Sequence, residues 1–137
     1  MPTPKPNALL KLRKHADYGR VYNSSRKQHA RQMSFFFSVR PSDRRSDTPG
    51  PRVGLTVGKV LGKAHERNRI KRRLRELVRR HAVTLKFPVD VILHPRRTVM
   101  TLDQRTLDRE VAEIFRTIRR TLEKMQEAKL PEAKPGA

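Results

Sequence analysis

Arg67-Asn68-Arg69-Ile70-Lys71-Arg72-Arg73-Leu74-Arg75-Glu76-Leu77-Val78-Arg79-Arg80 carries an apolar stripe and a cationic face in one run. Ile70, Leu74, Leu77 and Val78 recur at helical spacing, so one side of a helix enters a core. At 100° per residue Asn68, Arg72, Arg75 and Arg79 point the opposite way. Eight of the fourteen positions are basic, seven of them Arg, against the single acid Glu76. A helix that needs only solvation mixes charge signs to gain i,i+4 pairs, whereas like neighbours repel by about a few tenths of a kcal/mol each. Arg in preference to Lys suits bidentate recognition of phosphate. A solvated charged face is the bland alternative, and the near absence of acids weighs against it.

Outward from this helix the hydrophobic period changes from 3.6 to 2. On the N-terminal side Val53, Leu55 and Val57 alternate within residues 52–58, which predicts a strand. Residues 33–40 alternate as well, with Met33, Phe35, Phe37 and Val39 on one face and Ser34, Phe36, Ser38 and Arg40 on the other. A Pro-, Gly-, Ser- and Asp-rich loop over residues 41–51 joins them, and the two are expected to form an antiparallel pair. The basic helix is expected to end near Phe87-Pro88. Val89, Val91 and Leu93 predict a further short strand that Pro88 and Pro95 leave little room to extend. Thr101 and Gln104 give a capping-box signal, and Leu107, Val111, Ile114, Phe115, Ile118 and Leu122 form a helical stripe behind it. Ala16, Tyr18, Val21 and Tyr22 fit a short helix over residues 14–23 despite Gly19.

At 137 residues the chain supports one domain with one modest core, expected over residues 8–125. Residues 1–7 hold three prolines and are expected to be a flexible basic arm, and residues 126–137 a disordered tail. The net charge of +20, from 33 Lys and Arg against 13 Asp and Glu, makes the compact state repel itself. A polyanion is the partner that relieves it. No stretch approaches the roughly 18 apolar residues that span a bilayer, and the N-terminus lacks the apolar region of a signal peptide, so a cytoplasmic location is expected. With no cysteine there is no disulfide, thiolate nucleophile or Cys-based zinc site.

Three rings stand out. Phe36 sits on the polar face of its strand, and Tyr18 and Tyr22, spaced i,i+4, share one side of the first helix. They either pack in the core or line a cleft on which unpaired bases stack. Gly54 and Gly58 remove side chains where a ligand backbone could approach, although glycine in strands has other uses. His15, His29, His65, His81 and His94 show no metal-ligand spacing, so no metal site on the protein is expected. Acids and bases interleave in the last helix, as at Asp108, Arg109, Glu110, Glu113 and Arg116, and read as structural. There is no nucleophile motif and no phosphate loop, hence no expected catalytic residue. A structural ribosomal protein, or a general RNA chaperone, would share the charge.

The blocks at residues 52–59 (Arg-Val-Gly-Leu-Thr-Val-Gly-Lys), 62–64 (Gly-Lys-Ala) and 67–72 (Arg-Asn-Arg-Ile-Lys-Arg) resemble the signature of the bacterial ribonuclease P protein subunit. Residues 12–22 resemble that family's opening helix, and the likeness continues to about Arg120. It implies an α+β domain: a small, mostly antiparallel sheet with packed helices, like domain 2 of ribosomal protein S5. It also implies a left-handed strand-helix-strand crossover, against the usual right-handed rule. The family's division of labour implies that the ribonuclease P RNA holds the catalytic Mg2+ ions, while the protein binds that RNA and the 5′ leader of precursor tRNA. By this likeness Arg67, Asn68, Arg69, Lys71, Arg72, Arg75 and Arg79 would dock the RNA subunit. Tyr18, Tyr22, Phe36 and Lys59 would hold the leader.

Overall fold

The computed structural model describes residues 10–12, 15–40 and 50–129. The expected arm at 1–7, most of the loop at 41–51 and residues 130–137 of the expected tail lie outside them. In chain order the elements are β1 (Leu10–Lys11), α1 (His15–Ser24), β2 (Gln28–His29), β3 (Met33–Val39), β4 (Arg52–Leu55), α2 (Ala64–Ala82), β5 (Val89–Pro95) and α3 (Gln104–Lys129). Short 3-10 turns at Lys59–Leu61 and Arg97–Met100 precede α2 and α3. The fold is α+β, as expected.

The sheet runs β1-β4-β5-β3-β2. Its longest ladder, β3 with β5, is antiparallel and pairs Met33 with Pro95 through to Val39 with Val89. β2 also runs antiparallel to β3, whereas β1 and β5 are each parallel to β4. The antiparallel pair expected of residues 33–40 and 52–58 is therefore not formed, because β5 lies between them. The strand-helix-strand unit is β4, α2, β5, whose two strands are neighbours and parallel.

β5 takes the central place because it is apolar on both faces. Val89, Val91 and Leu93 are buried on one side and Ile92 on the other. A strand covered on both faces reads as a continuous apolar run. Pro88 and Pro95 bracket the strand without shortening it: the Pro88 carbonyl accepts the Arg40 N–H at 2.8 Å, and Pro95 sits in the ladder opposite Met33. Met33, Phe35 and Phe37 join Val53, Val91 and Leu93 on the face covered by α2 and α3. Ile70, Leu74, Leu77 and Val78 of α2 and the six-residue stripe of α3 close this main core.

Four boundaries differ from expectation. β4 leaves the ladder after Leu55, although the Thr56 N–H still reaches the Leu93 carbonyl at 2.9 Å. α2 stops at Ala82, where β-branched Val83 and Thr84 follow and the Thr84 hydroxyl donates to the His81 carbonyl at 2.7 Å. The cap of α3 is Asp103 and not Thr101: its carboxylate accepts the Thr106 N–H at 3.2 Å, and Thr101 ends the preceding 3-10 turn. α3 also continues as helix through Lys129, past the point where the tail was expected to begin.

Candidate nucleic-acid interface

The second face of the sheet carries α1. Alternation along β3, β4 and β5 sends Phe36, Ser34, Arg52, Gly54, Asp90, Ile92 and His94 toward it. Val21 of α1 is fully buried against Leu12 and Ile92, with Tyr18 and Phe36 packed around them. Tyr22 meets Phe36 edge-on, centroids 4.9 Å apart and planes at 86°, and lies 6.4 Å from Tyr18. The three rings singled out in the sequence thus come together. They are not enclosed, since Tyr22 is 36% exposed and Tyr18 and Phe36 are half-buried.

Both tyrosine hydroxyls have partners. Tyr18 donates to the Leu12 carbonyl at 3.2 Å, and burial, then neighbouring Tyr22, push its phenol above the ordinary pKa. It stays a donor at neutral pH. The Tyr22 hydroxyl lies 2.9 Å from Nε2 of His94. Gly54 serves this packing and leaves no room for a ligand: a Cβ there would overlap the Tyr18 hydroxyl and stand 3.3 Å from the Leu12 Cβ. The Gly54→Ala variant should lose about 1–3 kcal/mol of stability through overpacking. Adding Tyr18→Phe should return part of it. Denaturant midpoints check this, and an unchanged midpoint for Gly54→Ala would contradict the close approach.

Beside the rings lies a buried charge cluster that the sequence reading missed. Asp90 has no exposed surface, and its carboxylate takes Arg40 Nη1 at 2.7 Å, Arg52 Nε at 2.8 Å and Arg52 Nη2 at 2.7 Å. Arg20 of α1 closes on the same carboxylate. Asp17 adds weaker pairings to Arg52 at 3.5 Å and Arg20 at 3.7 Å. Burial would raise the Asp90 carboxyl, but hydrogen bonds from Arg52, Arg40 and Arg20 outweigh it and hold the group below the ordinary carboxylate range. The cluster ties α1 to the sheet.

On the opposite side of the molecule α2 presents its cationic face. Asn68, Arg69, Arg72, Arg75 and Arg79 are exposed. Among the described residues Arg72, Arg75 and Lys71 have no ion pair, while Arg79 meets Glu76 at 3.2 Å. Arg67 and Arg69 each donate through Nε to a backbone carbonyl, Gly62 at 3.2 Å and Met100 at 3.1 Å. Gly62, at φ 129°, makes the turn into the helix that only glycine adopts readily. The Glu66 carboxylate accepts the Lys63 N–H at 2.8 Å, which with Arg97 holds its pKa down and closes the first turn. Arg73 differs from its neighbours: it donates to the carbonyls of Val99, at 2.7 Å, and Leu102 and to the Gln104 side chain, so it ties α2 to the start of α3. Lys59 is exposed in the turn before α2 and takes no part in the ring cluster.

Three acids of α3 are paired within the fold, two of them across elements. Asp108 faces His81 at 2.7 Å and Arg80 at 3.4 Å, Glu110 accepts the Gln32 N–H at 2.6 Å, and Glu113 pairs with Arg116 one turn on. Among the described residues no cluster of His, Cys, Asp or Glu is arranged to hold a metal, and no helix is long and apolar enough to cross a membrane.

Fold and site define a small, strongly basic α+β protein with an exposed arginine face on one side of its sheet and an open ring cluster on the other. The family model described as Ribonuclease P matches residues 7–119, and the chain belongs to that family. The ribonuclease P protein component of Desulforapulum autotrophicum is 33% identical over 118 residues, covering 86% of this chain and 93% of the relative. That of Dictyoglomus thermophilum is 36% identical over 95 residues, 68% of this chain and 74% of the relative. Among solved structures, an RNase P protein from Staphylococcus aureus superposes with a TM-score of 0.67 at 22% identity, covering 82% of this chain and 97% of that one. The Thermotoga maritima RNase P protein gives 0.65 at 21% identity, covering 80% and 96%.

Proposed function

We propose that this chain docks on the RNA of a ribonuclease P through α2 and holds the 5′ leader of precursor tRNA on its ring cluster, while the RNA and its Mg2+ ions perform the hydrolysis. The observation that carries this is the outward row of α2: Arg72 and Arg75 are exposed and without a carboxylate partner among the described residues. Charges left without counter-charges repel one another in the free protein, and structured RNA relieves that repulsion while releasing counterions. Asn68, Arg67, Arg69, Lys71 and Arg79 extend the same docking surface. In this reading the protein adds no catalytic group of its own, and Asp17 and Asp90 serve the fold through their arginine partners. Its work is to lower the cost of bringing two polyanions together, in the cytoplasm.

Tyr18, Tyr22 and Phe36 support the leader role because base stacking contributes about 1–3 kcal/mol per base without requiring a sequence. Lys59 would reach a leader phosphate from outside the rings. The test compares holoenzyme affinity for precursor tRNA with and without its leader. A protein-dependent gain of about tenfold or more is expected for the leader-bearing form alone, from one or two stacks. Equal gains for both forms would remove the cleft from the account.

A further inference from the structure

α3 outruns the core. Its last buried residue is Leu122, yet the helix continues to Lys129, and every side chain from Glu123 to Ala128 is exposed. Helices in proteins are held mostly by the packing of one face, so a closing stretch with this little burial has a face to spare. Between it and residues 84–88 lies a cleft of about 570 Å³, within the range of ligand-binding sites. Val39, Phe87, Pro88, Leu122 and Met125 give the cleft apolar walls, and Met125 is 43% exposed. Lys86 and Arg119 line it too and form no ion pair among the described residues.

Position separates this cleft from both surfaces assigned to RNA. β5 begins at Val89 beside it and reaches the rings at His94, which contacts Tyr22, about 17 Å on at 3.3 Å per residue. About 15 Å of helix separate Arg72 from Ala82, where α2 ends. The cleft is therefore free to be filled while the other two are occupied. Its chemistry favours a protein over a third stretch of RNA, because a phosphate strand would meet apolar walls and the Glu123 carboxylate, with no row of open rings for its bases. A second copy of the chain would bring another charge of +20 against this one. An acidic segment gains from the same field, and the flexible Met125 adapts to its anchors. We propose that the cleft docks an acidic amphipathic helix of another protein, whose apolar anchors fill the space between α3 and residues 84–88 and whose carboxylates meet Lys86 and Arg119.

The test uses holoenzyme reconstituted from the full chain and a ribonuclease P RNA, which covers the RNA-binding faces. It is run at physiological salt, where exposed charges are screened beyond about 8 Å. The probes are three fluorescent synthetic peptides of equal length. One carries Leu at i, i+3, i+4 and i+7 with Glu between, one has the same residues shuffled so that the Leu no longer share a face, and one is poly-glutamate. The patterned peptide should bind at least about tenfold more tightly than either control, the gain from one buried apolar anchor. Lys86→Glu with Met125→Glu, both at exposed positions, should lower its affinity about tenfold or more. Cleavage of precursor tRNA should be unchanged, which shows that the variant folds and assembles. Equal binding of the three peptides, or a variant that binds the patterned one like wild type, would overturn the docking site. So would a variant defective in assembly with RNA, which would make the cleft an RNA surface. A wild-type chain that sediments as a dimer, beside a variant that does not, would make it a self-interface and overturn the proposal as well.

Discussion

Asp90→Asn should cost about 3–5 kcal/mol, the usual penalty for removing one partner of a buried ion pair. The amide keeps the shape of the side chain but leaves Arg40, which is 1% exposed, and the guanidinium groups of Arg20 and Arg52 facing a neutral group. For a domain stabilised by about 5–15 kcal/mol this is a large share. The urea midpoint at pH 7 reads the loss, and a decrease below about 1 kcal/mol would place the cluster among pairs that contribute little. The acid limb supplies a second reading. The folded carboxyl lies below its unfolded value near 3.9, so its contribution is present above that pH and is lost as pH falls through the folded pKa. Wild type should therefore lose this increment in acid, and Asp90→Asn, having none to lose, should show a flatter limb. Because Arg20 belongs to α1, the same substitution should loosen Tyr18 and Tyr22.

The second large effect belongs to the other side of the sheet. Arg72→Ala with Arg75→Ala should weaken binding to the RNA subunit on the order of a hundredfold at low salt, from two lost charge-assisted contacts. The slope of log affinity against log salt should become shallower by about 2, one for each phosphate contact removed. Stability should change little, since neither side chain has an internal ion pair among the described residues. Arg73→Ala supplies the contrast. Its hydrogen bonds to Val99, Leu102 and Gln104 are internal, so it should lower the denaturant midpoint and leave the salt slope nearly unchanged. An unchanged slope for the Arg72/Arg75 variant would contradict the docking role.

Local periodicity carried much of the fold, because α2, α3, β3 and β4 each set an apolar stripe on the main core at the period of their own backbone. Ile70, Leu74, Leu77 and Val78 are buried as their spacing required, and Arg72 and Arg75 face out. β1 and β2 were not legible, since two-residue edge strands have no period to detect. Strand order was not legible either. Periodicity assigns a residue to a face but does not say which strand lies beside it, so it cannot show that β5 separates β3 from β4. Two features depend on that order. With β5 next to β3, Ser34 pairs with His94 and Phe36 with Ile92, which puts His94 diagonal to Phe36. With β5 next to β4, Arg52 pairs with Asp90. Asp90 had given a signal, as a lone carboxylate inside the apolar run at residues 89–93, because a charge in a buried strand needs a partner. The resemblance assigned roles to α2 and the three rings, which spacing and placement had already singled out, whereas the function of Gly54 follows from Tyr18 packing over it.

The most direct measurement is cleavage of precursor tRNA by a ribonuclease P RNA across a magnesium titration, with and without this chain. If α2 neutralises RNA phosphates, wild type should shift the half-maximal magnesium concentration downward, and the Arg72→Ala, Arg75→Ala variant should lose most of that shift while remaining folded. A magnesium requirement that is the same with wild type, with the variant and with no protein would contradict it.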